Sequence, residues 1–193
     1  MDVILRAKPT ATAPGLLLRP WEKDDVAALV EAHRDPELRR WLRRSLRDED
    51  QARDWVAWNA DAWAAGTAYN FAVVERDRTG DPAGPPVGHL VVKGFSPDSP
   101  GAEVGYWTSA GGRGRGVASR ALVAVSDWAF GLALPTPLRH LDLFHTVGNY
   151  ASCRVAEKCG FRLDATLPAD PPDHPAEGHL HRRLRPAGAR GRG

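Results

Sequence analysis

The sequence predicts a single-domain α/β (α+β) protein with a mixed, mostly antiparallel central sheet of about seven strands flanked by helices. Two observations carry this prediction. Strand-like apolar segments follow one another across short links rich in Gly and Pro, which favours antiparallel pairing. Further along the chain, a strand, a glycine-rich loop, a helix and another strand occur in that order, which is typical of a parallel βαβ unit. The 193 residues are enough for one substantial core.

The chain is predicted to consist of an arm, a domain and a tail. Residues 1–14 contain two prolines and little periodicity, so a loose N-terminal arm is expected. The domain is predicted to span 15–185 and to begin with a short strand over 16–19. Residues 186–193 are predicted to form a disordered basic tail.

Three helical segments are predicted after the first strand. The first begins near Asp24 and carries apolar residues at helical spacing. The second begins at Asp35-Pro36, with proline at the first helical position. The third begins at Asp48, whose spacing to Gln51 is a weaker variant of the capping box.

The rest of the domain alternates between strands and helices, and Asn149 and Gly160 have the residue types expected at the two ends of the last helix. The predicted elements are strands over 69–75, 87–95 and 102–109, a helix over 117–130, a strand over 138–146, a helix over 149–159, and strands over 161–166 and 179–184.

The stretch from Gly111 to Ala118 reads Gly-Gly-Arg-Gly-Arg-Gly-Val-Ala and is called the glycine loop below. Glycine accepts positive φ angles and lets a backbone approach a ligand closely. The helix that follows begins with unpaired N–H groups and a partial positive charge, which favour phosphate. Arg113 and Arg115 add forked donors suited to phosphate oxygens. The glycine loop is therefore a candidate phosphate cradle.

Other interpretations of the glycine loop fit less well. A nucleoside-triphosphatase loop needs Lys and then Ser or Thr after its last glycine, where this chain has Val117 and Ala118. Gly114 and Gly116 match the start of a dinucleotide fingerprint, but Ser119 stands at its third glycine. A linker of Arg and Gly that binds nucleic acid, or nothing, is the remaining alternative.

The charge distribution argues against a nucleic-acid partner. The formal charge is +2, but the last twelve residues hold five arginines and no acid, and without these arginines the charge is −3. The basic balance therefore belongs to the tail rather than to a face of the domain. No apolar run approaches the ~20 residues that cross a bilayer, and the N-terminus lacks a signal-peptide apolar region, so no membrane partner and a cytoplasmic location are expected.

The cysteines and histidines do not predict a metal site. Cys153 and Cys159 are six residues apart in a helical segment, where a disulfide between them is not expected, and both are interpreted as small buried hydrophobic residues. His179 and His181 can face one side of a strand, but no third ligand is apparent. The expectation is no metal.

Two motifs resemble a known family. Residues 113–118 match an Arg/Gln-x-x-Gly-x-Gly/Ala loop, and the strand segment Glu103-Val104-Gly105-Tyr106-Trp107 precedes it. Further along, Asn149-x-x-Ser152 opens a helix that ends in Gly160-Phe161. Together these motifs resemble the GNAT superfamily of acetyl-CoA-dependent N-acetyltransferases, in its RimJ/RimL-like branch. The resemblance covers about 16–184 and implies the GNAT fold, whose sheet splays at the cofactor site.

The resemblance implies where acetyl-CoA binds. Residues of the glycine loop and the first turn of its helix are implied to hold the pyrophosphate, mainly through backbone N–H groups: Arg113, Gly114, Arg115, Gly116, Val117, Ala118 and Ser119. Trp107, Thr108 and Ser109 are implied to offer backbone groups to the pantetheine arm. Asn149 and Ser152 are implied to lie at the cofactor as well.

The chemistry of amine acetylation suggests roles for these residues. The attacking amine must be neutral although its pKa is about 10, so a base or a water relay is useful, and Glu103 is the best-placed acid. Ser152 is the candidate for protonating the leaving thiolate, and Tyr150 is an alternative. Asn149 holds the cofactor or a water, or only caps its helix.

The sequence therefore predicts acetyl transfer from acetyl-CoA to a primary amine by direct attack in a ternary complex, without a covalent enzyme intermediate. The acceptor is a protein N-terminus or a small amine such as an aminoglycoside or a polyamine. A non-catalytic CoA-binding or regulatory module is the alternative, and the Arg-Gly nucleic-acid binder is a weaker one. Members of the branch are often dimers, so a homodimer is compatible with the resemblance.

Two further features bear on the site. Arg120 stands where many relatives carry Glu in the helix after the loop, which alters the local charge. The segment from Asp164 to His179 contains four acids and no Lys or Arg, which suits a cationic amine. These acids are Asp164, Asp170, Asp173 and Glu177.

Overall fold

The computed structural model describes residues 3–172 and 175–187. The strands are β1 (Leu5–Ala7), β2 (Leu16–Pro20), β3 (Ala68–Glu75), β4 (Gly88–Lys93), β5 (Gly101–Thr108), β6 (His140–Thr146), β7 (Arg162–Leu167) and β8 (Gly178–Leu184). The helices are α1 (Val26–Arg34), α2 (Pro36–Trp41), α3 (Glu49–Ala64), α4 (Val117–Ala129) and α5 (Tyr150–Lys158). Most of the predicted basic tail, residues 188–193, lies outside the described ranges.

All eight strands form one sheet in the order β1-β2-β3-β4-β5-β6-β8-β7. Every neighbouring pair is antiparallel except β5 and β6, which are parallel and are connected through the glycine loop and α4. The mixed, mostly antiparallel sheet and its βαβ unit are therefore confirmed. The last strand in the chain, β8, inserts between β6 and β7.

Helices cover both faces of this sheet. One apolar cluster packs α4 and α5 against one face and includes Leu90, Leu122, Leu141 and Phe161, each of which is fully buried. A second cluster packs α1, α2 and α3 against the opposite face. In the described part of the chain, no helix is both long enough and apolar enough to cross a membrane.

The expectation of a loose arm over residues 1–14 is wrong for Leu5–Ala7, which form strand β1. The sheet therefore has eight strands rather than about seven. β1 pairs antiparallel with β2 at the edge of the sheet. Arg120 explains how the rest of this segment is held, because its guanidinium donates to the carbonyl oxygens of Pro14 at 2.6 Å and Lys8 at 3.3 Å. Arg120 thus fastens the N-terminal segment to α4.

Two buried histidines lie on the face covered by α1 to α3. His33 accepts a hydrogen bond from the Leu46 N–H at 3.1 Å, and His89 accepts one from the Trp21 indole at 3.1 Å. Burial lowers the pKa of His33 to about 4 and the pKa of His89 to about 3. Both side chains are therefore neutral acceptors at neutral pH.

These two histidines predict a loss of stability in mild acid. In the unfolded chain they gain protons as the pH falls below about 6.5, whereas the folded protein resists protonation down to pH 3 to 4, so acid favours unfolding. We expect each histidine to lower the free energy of unfolding by about 2 kcal/mol between pH 6.5 and 4.5. Urea denaturation across this range measures the effect, and His33→Asn, which keeps an acceptor but does not titrate, should flatten the curve. An unchanged slope would contradict the prediction.

Candidate functional site

A cleft opens in the sheet where β5 and β6 separate. Their parallel pairing extends only from Gly101 and His140 to Val104 and Leu143. Beyond this point β5 continues to Thr108 beside β4, and β6 continues beside β8. The two strands therefore diverge toward their carboxyl ends, where crevices in such sheets commonly bind ligands.

The backbone of β5 directs hydrogen-bonding groups toward this cleft. The Ser109 N–H donates to the Val87 carbonyl at 3.0 Å, on the side of β4. Backbone groups of successive strand residues point to alternate sides, so the N–H and C=O of Tyr106 and Thr108 face the cleft. Of the three residues predicted for the pantetheine arm, the backbone of Thr108 faces the cleft. The backbone of Trp107 and the N–H of Ser109 face β4, and the Ser109 carbonyl accepts from the Gly112 N–H at 2.9 Å.

The glycine loop lies at the mouth of the cleft and leads into α4. Gly114 and Gly116 have φ angles of +75° and +69°, a conformation that L side chains rarely adopt. Gly116 is the N-cap of α4 and offers no side-chain cap. Arg120 makes the first backbone hydrogen bond of the helix, to the Gly116 carbonyl at 3.0 Å. The N–H groups of the first turn before Arg120 are thus free to receive an anion.

Both arginines of the glycine loop are paired with acids of other elements. Arg113 forms an ion pair with Asp35, the N-cap of α2, and Arg115 pairs with Glu75 of β3 at 2.9 Å. These pairs brace the loop against the helical layer and the sheet. The structure therefore gives the guanidinium groups a positioning role and leaves the backbone N–H groups as the groups that can meet a phosphate.

Ser119 and Asn149 also have structural partners. The buried Ser119 hydroxyl donates to the Gly116 carbonyl at 3.2 Å, so its backbone N–H rather than its side chain is available. Asn149 caps α5 by accepting from the Ser152 N–H at 3.2 Å. At the other end of α5, the Phe161 N–H donates to the Ala156 carbonyl at 2.9 Å, as the predicted glycine-terminated helix requires.

A tyrosine that the sequence motifs do not assign faces α5 across the cleft. The Tyr106 hydroxyl is buried beside the Ser152 side chain and makes no hydrogen bond of standard geometry within the described residues. Burial raises the pKa of Tyr106 to about 12, so the phenol keeps its proton at neutral pH. Tyr150, the alternative acid, is 70% exposed. In the sequence, Tyr106 alternates with Val104 along β5, and this spacing could have predicted that its side chain lies on the same core-facing side of the strand.

Glu103 lies on the opposite face of the sheet from Tyr106, because the two side chains differ by an odd number of positions on one strand. It is paired with Lys93 at 3.0 Å and is 38% exposed. It sits one residue before the parallel pairing ends at Val104. The structure thus brings Ser152 and Tyr106 together and places Glu103 at the base of the cleft on the other side.

The acidic segment near the expected acceptor side is less negative than its sequence indicates. Asp164 lies within β7 and pairs with Arg182 of β8 at 3.1 Å. Asp173 lies outside the described residues. The unbalanced charge of the described part of this segment therefore comes from Asp170 and Glu177.

The two cysteines have different environments. Cys159 is buried as predicted, its thiol donates to the Ser119 carbonyl at 3.3 Å, and burial raises its pKa to about 11. The same interpretation is wrong for Cys153, which is only half-buried and faces His145 and His179. No third metal ligand was expected beside His179 and His181. Cys153 and His145 nevertheless lie next to them, because β6, β8 and α5 converge here.

Comparison with known proteins is consistent with this architecture. Residues 15–162 match the family described as Acetyltransferase (GNAT) domain. The chain is 29% identical over 164 residues to YkkB of Bacillus subtilis (strain 168), a protein described as uncharacterized, and the match covers 84% of this chain and 91% of that protein.

Solved structures of related acetyltransferases share the fold. RimJ of Mycobacterium smegmatis, solved in complex with CoA-disulfide, superposes with a TM-score of 0.75 at 19% identity, over 95% of this chain and 86% of that one. The Salmonella typhimurium acetyltransferase that modifies the N-terminal serine of ribosomal protein L7/L12 superposes with a TM-score of 0.72 at 21% identity, over 92% and 98%. The fold of this chain is therefore that of the RimJ and RimL structures, and the predicted GNAT family is confirmed by the match over residues 15–162.

Proposed function

Because the chain belongs to the GNAT acetyltransferase family, we propose that it transfers an acetyl group from acetyl-CoA to a primary amine by direct attack in a ternary complex. The observation that carries this proposal is the cleft between β5 and β6, with the glycine loop at its mouth. Tyr106 and Thr108 offer strand-like hydrogen bonds to the amides of the pantetheine arm. The free N–H groups at the start of α4 receive the pyrophosphate.

The thiol side of the reaction is assigned to Ser152 and Tyr106. The departing thiolate needs a proton or a hydrogen bond, and both hydroxyls lie together between β5 and α5. The buried Tyr106 hydroxyl has no established acceptor in the described part of the chain, so it is free to donate. With a pKa of about 12 the Tyr106 phenol is protonated when the thiolate forms. The phenolate that remains after proton transfer readily takes up a proton again. Asn149 fixes the start of α5 and thereby the position of Ser152.

The amine side is assigned to Glu103. Its carboxylate lies beside the end of the parallel pairing and is partly exposed, so it can take a proton directly or through one water. Lys93 forms an ion pair with this carboxylate at 3.0 Å and holds it in place. In this arrangement the amine loses its proton on one side of the sheet, and the thiolate gains one on the other.

The acceptor is proposed to be a primary amine of one of two kinds. The Salmonella relative modifies a protein N-terminal serine, which supports an N-terminal acceptor for this chain. Asp170 and Glu177, in the connection between β7 and β8, suit any cationic amine and therefore support a small amine equally.

Two measurements test the proposed function. Acetyl-CoA at about 100 times its Kd should stabilise the protein by about 2.7 kcal/mol, which raises Tm by several degrees. A thiol-release assay over peptide N-termini, aminoglycosides and polyamines should then find turnover with at least one class. Binding without turnover on any amine would support a non-catalytic CoA-binding module. Salt-dependent nucleic-acid binding without CoA binding would overturn the proposal.

A further inference from the structure

Four metal-binding side chains converge between α5 and the sheet: His145 at the end of β6, Cys153 in the first turn of α5, and His179 and His181 of β8. Each offers a ligand atom, and these atoms all lie within 4.8 Å of one another. His145 and His179 are directly paired across β6 and β8, and side chains two positions apart on β8 share a face, which places His181 beside them.

The distances fit a tetrahedral ion. Cys153 Sγ is 3.5 Å from His145 Nε2 and 3.4 Å from His179 Nδ1. Zinc bonds of 2.3 Å to sulfur and 2.0–2.1 Å to nitrogen, at the tetrahedral angle, separate such atoms by about 3.6 Å. The thiol and these two imidazoles therefore already lie at the spacing of ligands in one coordination shell.

The buried histidine provides an independent observation. His181 is 1% exposed, and its Nδ1 lies 3.3 Å from the Phe161 carbonyl oxygen. A carbonyl only accepts, so Nδ1 carries a proton, and in the neutral imidazole Nε2 then carries the lone pair. That Nε2 is fully buried and has no hydrogen-bond partner in the described part of the chain. A buried, unpartnered ring nitrogen in a side chain that lies beside three other metal-binding groups points to a cation.

His145 is oriented in the same way. Its Nδ1 lies 3.0 Å from the Thr146 carbonyl oxygen, which directs the lone pair of Nε2 toward Cys153. A backbone carbonyl that accepts from the other ring nitrogen is the usual second partner of a metal-bound histidine. Two of the three imidazoles are thus held in the tautomer that a metal requires.

We propose that His145, Cys153, His179 and His181 form a binding site for Zn²⁺, contrary to the expectation of no metal from the sequence. Three imidazoles and one thiolate are a ligand set of nitrogen and sulfur that suits this ion. The site joins β6, β8 and α5. It thereby fixes the first turn of α5, which also carries Ser152.

The test uses the full chain without an added histidine tag, stripped of metal with a chelator and then titrated with ZnCl₂ or CoCl₂. We expect one equivalent of Zn²⁺ per chain by elemental analysis and a rise in Tm of several degrees. Co²⁺ should give the intense visible bands of a tetrahedral complex together with a near-ultraviolet thiolate charge-transfer band. Cys153→Ser should abolish the charge-transfer band and weaken Zn²⁺ binding at least tenfold.

Matched control variants show whether Zn²⁺ binds at this cluster or at other His and Cys side chains of the chain. His140→Gln lies on the same strand as His145 but outside the cluster, and Cys159→Ala lies at the opposite end of α5 from Cys153. Each of these variants should bind Zn²⁺ as the parent does. His179→Asn provides a second test should Cys153→Ser fail to fold by circular dichroism. Absence of stoichiometric Zn²⁺, or binding and Co²⁺ spectra unchanged in both Cys153→Ser and His179→Asn, would overturn the proposal, whatever the outcome for acetyl-CoA.

Discussion

The double substitution Ser152→Ala with Tyr106→Phe is expected to lower kcat for acetyl transfer by about 10²- to 10⁴-fold, the range that general acid catalysis contributes. Both changes remove a hydroxyl from the space between β5 and α5 and leave the backbone that faces the cleft intact. The Kd for acetyl-CoA should therefore change little. Single-turnover kinetics on an acceptor from the amine screen, with calorimetry for the Kd, measure the two effects separately.

The single variants show whether the two hydroxyls act together. If either hydroxyl can replace the other as proton donor, each single substitution should lower kcat much less than the double substitution does. Tyr150→Phe is the matched control, because its hydroxyl belongs to a side chain that is 70% exposed. Full turnover by the double variant would show that water alone protonates the thiolate and would remove both residues from the mechanism.

Glu103 is tested on the same acceptor by a pair of variants. Glu103→Gln removes the carboxylate and breaks the ion pair with Lys93, whereas Lys93→Met breaks the pair and keeps the carboxylate. A loss of kcat in the first variant but not in the second supports a base or a relay. Equal losses in both would assign Glu103 a structural role in pairing β4 with β5.

Most of the fold was predictable because its signals are local. The strands from β2 to β8 alternate apolar and polar residues or form short apolar runs between turn residues, and the ends of α5 follow from Asn149 and Gly160. The edge strand β1 was missed because a strand of three residues is too short to show a periodicity. Its pairing with β2 and the distant contact to Arg120 hold it in place, and neither can be deduced from its own residues.

The part of the site that is formed by backbone was predictable from residue types. The parts that depend on which strands lie next to each other were not. Gly114 and Gly116 adopt positive φ angles, and their residue type alone predicts the glycine loop. The acids that pair with Arg113 and Arg115 lie 78 and 40 residues away and could not be assigned from spacing. The histidine and cysteine cluster likewise depends on β8 lying next to β6.

The largest effect on cofactor binding is expected from Gly116→Val. At φ +69° a side chain costs about 1–2 kcal/mol even without a collision, and a β-branched side chain at the N-cap of α4 costs more. Relief of this strain requires the backbone to rotate, which turns the first N–H groups of the helix away from a bound pyrophosphate. We expect the Kd for acetyl-CoA to rise at least about tenfold.

Gly111→Ala is the matched control for this loop. Gly111 has no positive φ, and a Cβ added there meets no heavy atom within 4 Å. The control should therefore bind acetyl-CoA as tightly as the parent, although it lies in the same glycine-rich stretch. Because Arg113 and Arg115 are present in both variants, a loss confined to Gly116→Val assigns the pyrophosphate to the backbone of the helix start. Equal binding by both variants would instead mean that the loop conformation does not control the cofactor.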